Sequence, residues 1–336
     1  MKAIILAGGS GERFWPLSSS EKPKQFLKLF SDKSLIRETF ERLTYKMNIN
    51  DIYVITSENY FDLTLKELPE LPKDNIILEP IPKNTAPACM LGTKLAENNE
   101  TLIILPADHY IPSKKDFWET LDIAIVGAEK YEGLFTIGIN PTRPETGFGY
   151  IEAGENIESN IYKVVSFHEK PNLETAKSFL EKGNFFWNSG MFVWKKNTFL
   201  KEINLYAPEI YKELINVDPK DFSHLKKVMP KVEKISIDYA LMEKSKNVFV
   251  VKSNFIWSDV GNWVSIRELT GYSDKDLNVE VIDGENVFVK SDKFVGVIGL
   301  SNIIVVESEN GILIAAEEKA QKVREISQKL KKLGKF

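Results

Sequence analysis

The chain has one cysteine, Cys89, among 336 residues. No internal disulfide can form, which fits a reducing compartment, and the expected location is the cytoplasm. The only histidines, His109, His168 and His224, are scattered and make no metal-ligand spacing. No apolar run is long enough to span a bilayer. The first one, residues 3–7, stops at Gly8-Gly9, too soon for a signal peptide. Charge of one sign is also lacking: 44 basic against 48 acidic residues leave a net −4. That balance gives no pull toward nucleic acid or a membrane surface, and neither is expected as a partner. A Gly-x-Ser-x-Gly elbow, a Cys-x-x-Cys pair and the Gly-Lys-Ser/Thr of a Walker loop are all missing.

What is present is ordinary in bulk and specific in detail. A hydrophobic content of 43% and a charged content of 27% are those of a globular protein. The length suits one large domain and one small one, expected as 1–270 and 271–336. The chain opens on Lys2-Ala-Ile-Ile-Leu-Ala-Gly-Gly-Ser-Gly-Glu-Arg-Phe-Trp-Pro-Leu17 and runs on to Lys22-Pro-Lys-Gln-Phe26. Residues 3–7 read as a buried parallel strand. Gly8, Gly9 and Gly11 let the backbone turn and bring its N–H groups to an anion, with Arg13 and Lys24 as nearby cations. A dinucleotide fingerprint fails on spacing. No third glycine follows Gly11 at three residues, and the acidic residue after the next strand comes too late.

Strands are expected at 52–55, 76–78, 102–105 and 134–139, and helices at 33–47, 60–68, 85–98 and 116–131. This alternation predicts an α/β fold, a Rossmann-like mixed, mainly parallel sheet with helices on both faces. Ligands bind beyond the carboxyl ends of such strands, here Gly8–Gly11, Ser57, Glu79 and Asp108. The second half predicts an antiparallel pair at 150–157 and 161–167, and a helix at 173–181. An aromatic strand at 185–194 is expected to be interrupted at Asn188-Ser-Gly190. Helices follow at 198–215 and 238–244, with a strand at 248–251. After about residue 272, short β-branched runs at 287–289, 295–298, 303–306 and 312–314 read as a small all-β unit, a short β-helix or solenoid expected to be left-handed. An amphipathic helix at 317–333 ends the chain.

Several residues carry candidate chemistry. Asp108 and Asp259 come from distant segments, and two such carboxylates can share one Mg²⁺ whose other positions are filled by phosphate and water. A cap or turn role is the commoner fate of any single Asp, so the surrounding motifs carry the assignment. Lys170, in Phe167-His-Glu-Lys-Pro171, is a candidate clamp for a second phosphate. Asn188 and Gly190 offer hydrogen bonds to a polyhydroxylated ligand. Glu79 bears on base choice: guanine presents two adjacent donors, and an ionised carboxylate accepts from both. Capping is the alternative for Glu79.

Taken together, these motifs resemble the sugar-1-phosphate nucleotidylyltransferase family. The first line carries the broad signature. Glu79-Pro80, Lys83-Asn-Thr-Ala-Pro-Ala88, Pro106-Ala-Asp-His109 and Glu145-Thr-Gly-Phe-Gly-Tyr-Ile151 narrow it, as do Trp187-Asn-Ser-Gly-Met-Phe192 and Trp257-Ser-Asp-Val-Gly-Asn-Trp263. The narrower match is to the mannose-specific guanylyltransferase branch. The resemblance implies Mg²⁺-assisted in-line attack of mannose 1-phosphate on the α-phosphorus of GTP, giving GDP-mannose and pyrophosphate. By that analogy Leu6, Ala7, Gly8, Gly9, Gly11, Glu79, Asn84, Thr85 and Pro106 meet the nucleotide. Arg13 holds the leaving pyrophosphate and Lys24 the α-phosphate, Lys170 grips the sugar phosphate, and Asp108 and Asp259 hold the metal. Gly147, Glu169, Asn188 and Gly190 meet the sugar. The terminal β unit is expected to form a homodimer.

Two departures stand out. Glu12 replaces the family's usual Thr or Ser and is expected to lie beside the triphosphate. The chain also ends where longer relatives continue into a phosphomannose isomerase domain, so no isomerase activity is expected. The alternatives are a uridylyl- or thymidylyltransferase, a non-catalytic sugar-nucleotide sensor, and a glycosyltransferase. The sensor would lack the metal ligands or cations. The glycosyltransferase often carries Asp-x-Asp, where Asp108-His109-Tyr110 stands here.

Overall fold

A computed structural model describes residues 1–9, 11–270 and 278–334. They form two compact units. The first comprises Met1–Gly8, Phe40–Ala107 and Ile111–Trp257, and the second Gly9–Thr39, Asp108–Tyr110 and Ser258–Phe336. The domain boundary expected at 270/271 falls at residues 271–277, outside the described residues.

The first unit is built on nine strands: β1 (Lys2–Leu6), β2 (Ile52–Ser57), β3 (Ile76–Glu79), β4 (Thr101–Pro106), β5 (Leu134–Ile139), β6 (Gly149–Glu158), β7 (Ile161–Glu169), β8 (Phe185–Lys195) and β9 (Val248–Lys252). Their order in the sheet is β3-β2-β1-β4-β8-β5-β9-β7-β6. The first four are parallel neighbours, in register Ile4 to Tyr53 and Ile4 to Ile104. Their residues are apolar on both faces because helices cover both, as a parallel sheet requires. On one face Ile4, Ile55, Ile77, Leu102 and Ile104 pack with Met90, Leu91, Phe199, Ile203 and Leu241. On the other, the long helix Lys114–Tyr131 lies against β4, β5, β8 and β9. Gly127 lets it approach: a Cβ there would stand 2.5 Å from the Phe135 ring.

The sheet is mixed, as expected: β8 inserts antiparallel between β4 and β5. Strand β8 is continuous through Asn188-Ser-Gly190. It absorbs the irregularity as a register shift against β5 and a φ of +68° at Gly190. The helix expected at 198–215 is two helices, Lys196–Tyr206 and Pro208–Leu214. Pro208 has no N–H to continue the first but suits the first turn of the second. A short helix not expected from the sequence, Phe222–Val228, is capped by Asp221, whose carboxylate accepts from the His224 N–H at 3.0 Å.

In the second unit β10 (Val279–Ile282) pairs parallel with β12 (Val295–Ile298), and β11 (Val287–Lys290) with β13 (Ile303–Ser308). Val279 meets Val295 and Val287 meets Ile303, so each coil advances 16 residues, as in a β-helix. Asn286 and Asn302 stack one coil apart, the Asn286 Nδ2 donating to the Asn302 Oδ1 at 2.6 Å. Strand β14 (Gly311–Ala316) closes the coil antiparallel to β13. The terminal segment starts as a 3-10 helix, Glu317–Lys322, and continues as an α-helix at Val323–Lys332. The unit's own core joins Phe14, Leu27, Leu29, Leu35, Val260, Trp263, Phe288, Ile304, Leu313 and Val323. Among the described residues no helix is long and apolar enough to cross a membrane.

Trp194 on β8 is fully buried, stacks on Phe199 at 4.7 Å and donates to the Thr93 hydroxyl at 3.1 Å. Trp194→Ala should therefore destabilise the protein by about 3–5 kcal/mol. Urea unfolding followed by circular dichroism measures this, with Trp194→Phe expected to cost less.

Candidate active site

In the second unit the geometry centres on Lys24. Its segment turns in a short helix, Lys24–Phe26, and the side chain is buried to 8% exposure. The Lys24 Nζ donates to Asp108 Oδ2 at 2.8 Å and to the carbonyl oxygen of Asp259. It also lies 5.9 Å from the centre of the Phe14 ring, a favourable cation–π placement. Asp108 and Asp259 meet this one ammonium because their segments pair. Tyr110 and Ser258 exchange backbone hydrogen bonds at 3.0 and 3.1 Å in an isolated antiparallel bridge. Val260, one residue beyond Asp259, holds φ at +48°, a costly conformation for a β-branched residue.

The glycine loop is seated on the same segment. Gly11 has φ +58°, and a Cβ there would stand 2.3 Å from the Lys24 backbone nitrogen. Only glycine fits on both counts. The Gln25 amide, 2% exposed, donates to the Gly9 carbonyl at 3.1 Å. Arg13 is exposed. Burial pushes the Asp108 carboxyl up, but the Lys24 ammonium and then His109 outweigh it and hold the group below its ordinary value. Asp108 is thus an anion at neutral pH. The Asp108 carboxylate and the Asp259 backbone carbonyl meet this cation and so bring the two aspartates to one place, and carboxylate oxygens are donors of the kind a hard divalent ion takes, one or two at a time, beside substrate phosphates. The donor set fits such an ion.

In the first unit, Leu6, Ala7, Gly8, Glu79 and Pro106 gather at the carboxyl edge of the parallel strands. Ala7 accepts from the Thr56 hydroxyl at 3.1 Å, and Leu6 pairs with Pro106. Glu79 ends β3, is 4% exposed, and lies against Gly8, whose Cβ would be 3.2 Å from Oε2. Its Oε1 is buried with no hydrogen-bond partner. Burial raises the Glu79 pKa to about 8, so the group is protonated at neutral pH. Asn84 caps the helix Thr85–Lys94 from φ +72°, accepting from the Thr85 N–H at 2.8 Å, and the Thr85 hydroxyl accepts from the Ile237 N–H at 2.8 Å.

A second cluster in this unit joins sugar-side candidates. Asn188 Oδ1 accepts from the Thr136 hydroxyl at 3.3 Å and from the Gly190 N–H at 3.1 Å, while Nδ2 donates to Asp238 Oδ1 at 2.7 Å. Glu169 and Lys170 are ion-paired to each other, so the turn before Pro171 brings both side chains together. Lys170 holds φ at +48° there. Glu169 also lies against Gly149, whose Cβ would be 2.5 Å from Oε2. Gly147 sits apart in an exposed turn, its N–H donating to Glu145 at 2.9 Å.

Residues 2–275 match the nucleotidyl transferase family, and residues 278–330 match the MannoseP isomerase/GMP-like beta-helix domain. The chain is 38% identical to a mannose-1-phosphate guanylyltransferase of Escherichia coli, over 97% of this chain and 75% of that one. The chain belongs to the mannose-1-phosphate guanylyltransferase family. Klebsiella pneumoniae has another relative of that name, 35% identical over 98% of this chain and 73% of its own. A crystal structure from Thermus thermophilus, named mannose-1-phosphate geranyltransferase, superposes with a TM-score of 0.88 at 31% identity, covering 98% and 99% of the two chains.

Within this guanylyltransferase family member, two polar groups of these clusters have no role that the sequence predicts. Gln25 lies inside the Lys22-Pro-Lys-Gln-Phe26 motif, and its burial against Gly9 is what the motif does not reveal. Asp238 follows an unremarkable Ser-Ile and is found only through Asn188. Burial, then the Glu169 charge, raises the Asp238 pKa to about 6. Glu12 is the residue expected beside the triphosphate. Its carboxylate is paired with Arg324 and Lys331 of the terminal helix.

Glu79 also makes stability depend on pH. The folded protein keeps its proton up to about pH 8, whereas the ordinary value is 4.5. Between those values the folded state binds more protons than the unfolded one. Its contribution to stability is complete below that range and is lost as pH rises through about 8. Unfolding free energies at pH 5 and pH 8 should differ less in Glu79→Gln than in the parent. Equal pH slopes would refute the assignment.

Proposed function

We propose that the protein transfers GMP from GTP to mannose 1-phosphate, giving GDP-mannose and pyrophosphate. Family membership supports this reading. The observation that carries it is the convergence of Lys24, Asp108 and Asp259, from segments 84 and 235 residues away from Lys24, on one buried ammonium. The nucleophile is a phosphate oxygen that is already an anion, so the protein has no proton to remove. Its task is to align two polyanions and offset their charge.

In this reading Gly9 and Gly11 present backbone to the triphosphate and Arg13 meets the departing pyrophosphate. Lys24 meets the α-phosphate, whose growing charge its ammonium stabilises. Asp108 and Asp259 would hold Mg²⁺, which when bound neutralises phosphate charge. Lys170 grips the sugar phosphate, while Gly147, Glu169, Asn188 and Gly190 meet the sugar. Leu6, Ala7, Gly8, Asn84, Thr85 and Pro106 line the nucleotide. Glu79 accepts from guanine, and its protonation in the free protein means that base recognition releases a proton. The cytoplasm, where GTP is abundant and a lone thiol stays reduced, is the compartment this chemistry implies.

Pyrophosphate release with Mg²⁺ should be clear for GTP with mannose 1-phosphate and at least tenfold weaker for UTP with glucose 1-phosphate. A preference for UTP or dTTP would refute guanine recognition. Asp259→Asn should lower kcat about 10²-fold or more while GTP still binds. Unchanged turnover would remove Asp259 from the site.

The β unit supports a homodimer as the working form. Phe294 (68% exposed), Ile298 (70%), Ile312 (59%) and Ile314 (67%) leave apolar surface on its coil. Such surface marks contact sites, and a second copy is the proposed occupant. Ile298→Asp combined with Ile314→Asp should halve the mass measured by analytical ultracentrifugation. An unchanged mass would place any dimer contact elsewhere.

A further inference from the structure

The short helix Glu12–Phe14 and the two residues after it carry Arg13, and the far end of the chain fixes nearly everything around that side chain. Glu12 is paired at one oxygen with Arg324 (3.2 Å) and at the other with Lys331 (2.7 Å). Its carbonyl accepts from the hydroxyl of Ser327 at 2.6 Å. Residues 324, 327 and 331 are three and four apart and so share one helix face. Ser327 on that face is fully buried. Phe14 packs edge-on against Trp263 at 5.1 Å. The Trp15 carbonyl accepts from the Trp263 indole at 3.2 Å, and the Pro16 carbonyl from Ser308 at 2.7 Å and Asn310 at 3.2 Å. All of these groups belong to the second unit. Arg13 alone of the segment is left exposed.

The charges explain why two cations are needed. A carboxylate next in sequence to Arg13 is the nearest competitor for its guanidinium and repels a phosphate. Arg324 and Lys331 keep Glu12 ionised, the Lys331 bond first holding its carboxyl below the ordinary value. They also turn it toward the terminal helix. We infer that Arg324, Ser327 and Lys331 are positioning residues of the nucleotide loop. They hold and neutralise Glu12 so that Arg13 stays free for the pyrophosphate end of the nucleotide. The terminal helix is thus part of the active-site apparatus. This rests on the role of Arg13 under Proposed function.

The test combines Arg324→Ala with Lys331→Ala, then adds Glu12→Gln. The double variant should raise KM for GTP, and for pyrophosphate in the reverse reaction, about tenfold. KM for mannose 1-phosphate should stay within about twofold, because only ground-state binding at one end is lost. Adding Glu12→Gln should restore most of the loss, since it removes the freed carboxylate, and a merely structural anchor would not be rescued this way. Unchanged KM for GTP, an equal rise for both substrates, or failed rescue would each overturn the inference while the parent's turnover leaves the proposed reaction standing. Should the parent not use GTP with mannose 1-phosphate at all, that reading fails, and amide exchange of residues 11–17 decides the anchoring. Faster exchange in the double variant supports it, and unchanged exchange overturns it.

Discussion

Lys24 is the point on which the second unit is organised. A buried ammonium must find anionic or carbonyl oxygen, and this one finds Asp108 and the Asp259 backbone. Satisfying it forces two distant segments side by side, which the Tyr110–Ser258 bridge then locks. The same segment presents the backbone nitrogen against which Gly11 must fit without a side chain. One cation therefore sets the aspartates and the loop together.

Three acids, Glu79 buried and Asp108 and Asp238 partly so, show how surroundings decide protonation in this molecule. Asp108 has a cation beside it and stays ionised although burial opposes this. Glu79 has no partner for one oxygen, so burial acts unopposed and the proton stays. Asp238 lies between these cases: burial and Glu169 raise it, and the Asn188 amide partly offsets them. Such separation of acids within one protein is how sites acquire groups in different states at one pH. It also sets the cost of each group, since an unpaired buried acid favours the folded state only while it keeps its proton.

The terminal β unit has a core that includes residues from the start of the chain, Phe14, Leu27, Leu29 and Leu35. The opening segment and the last helix thus fold as one body. Apolar contacts and ion pairs such as Glu12 with Lys331 are blind to sequence distance.

The sequence by itself determined the alternation of buried strands and covering helices, because strands covered on both faces must be apolar throughout. It determined the glycine loop with its cations, and the coil of short β-branched strands, for which a fixed repeat is needed. Tertiary structure alone decided the antiparallel place of β8, since periodicity carries no strand direction. It alone decided that Asn188 is held by Asp238, that Glu12 turns to Arg324 and Lys331, and that one Glu79 oxygen is left without a partner. Partnership and burial depend on which distant residues arrive at the same place, and local sequence does not encode that. The glycine loop could be read from its residues. The conformation that excludes a Cβ at Gly11 comes from Lys24, 13 residues on in the sequence, whose backbone packs directly against it.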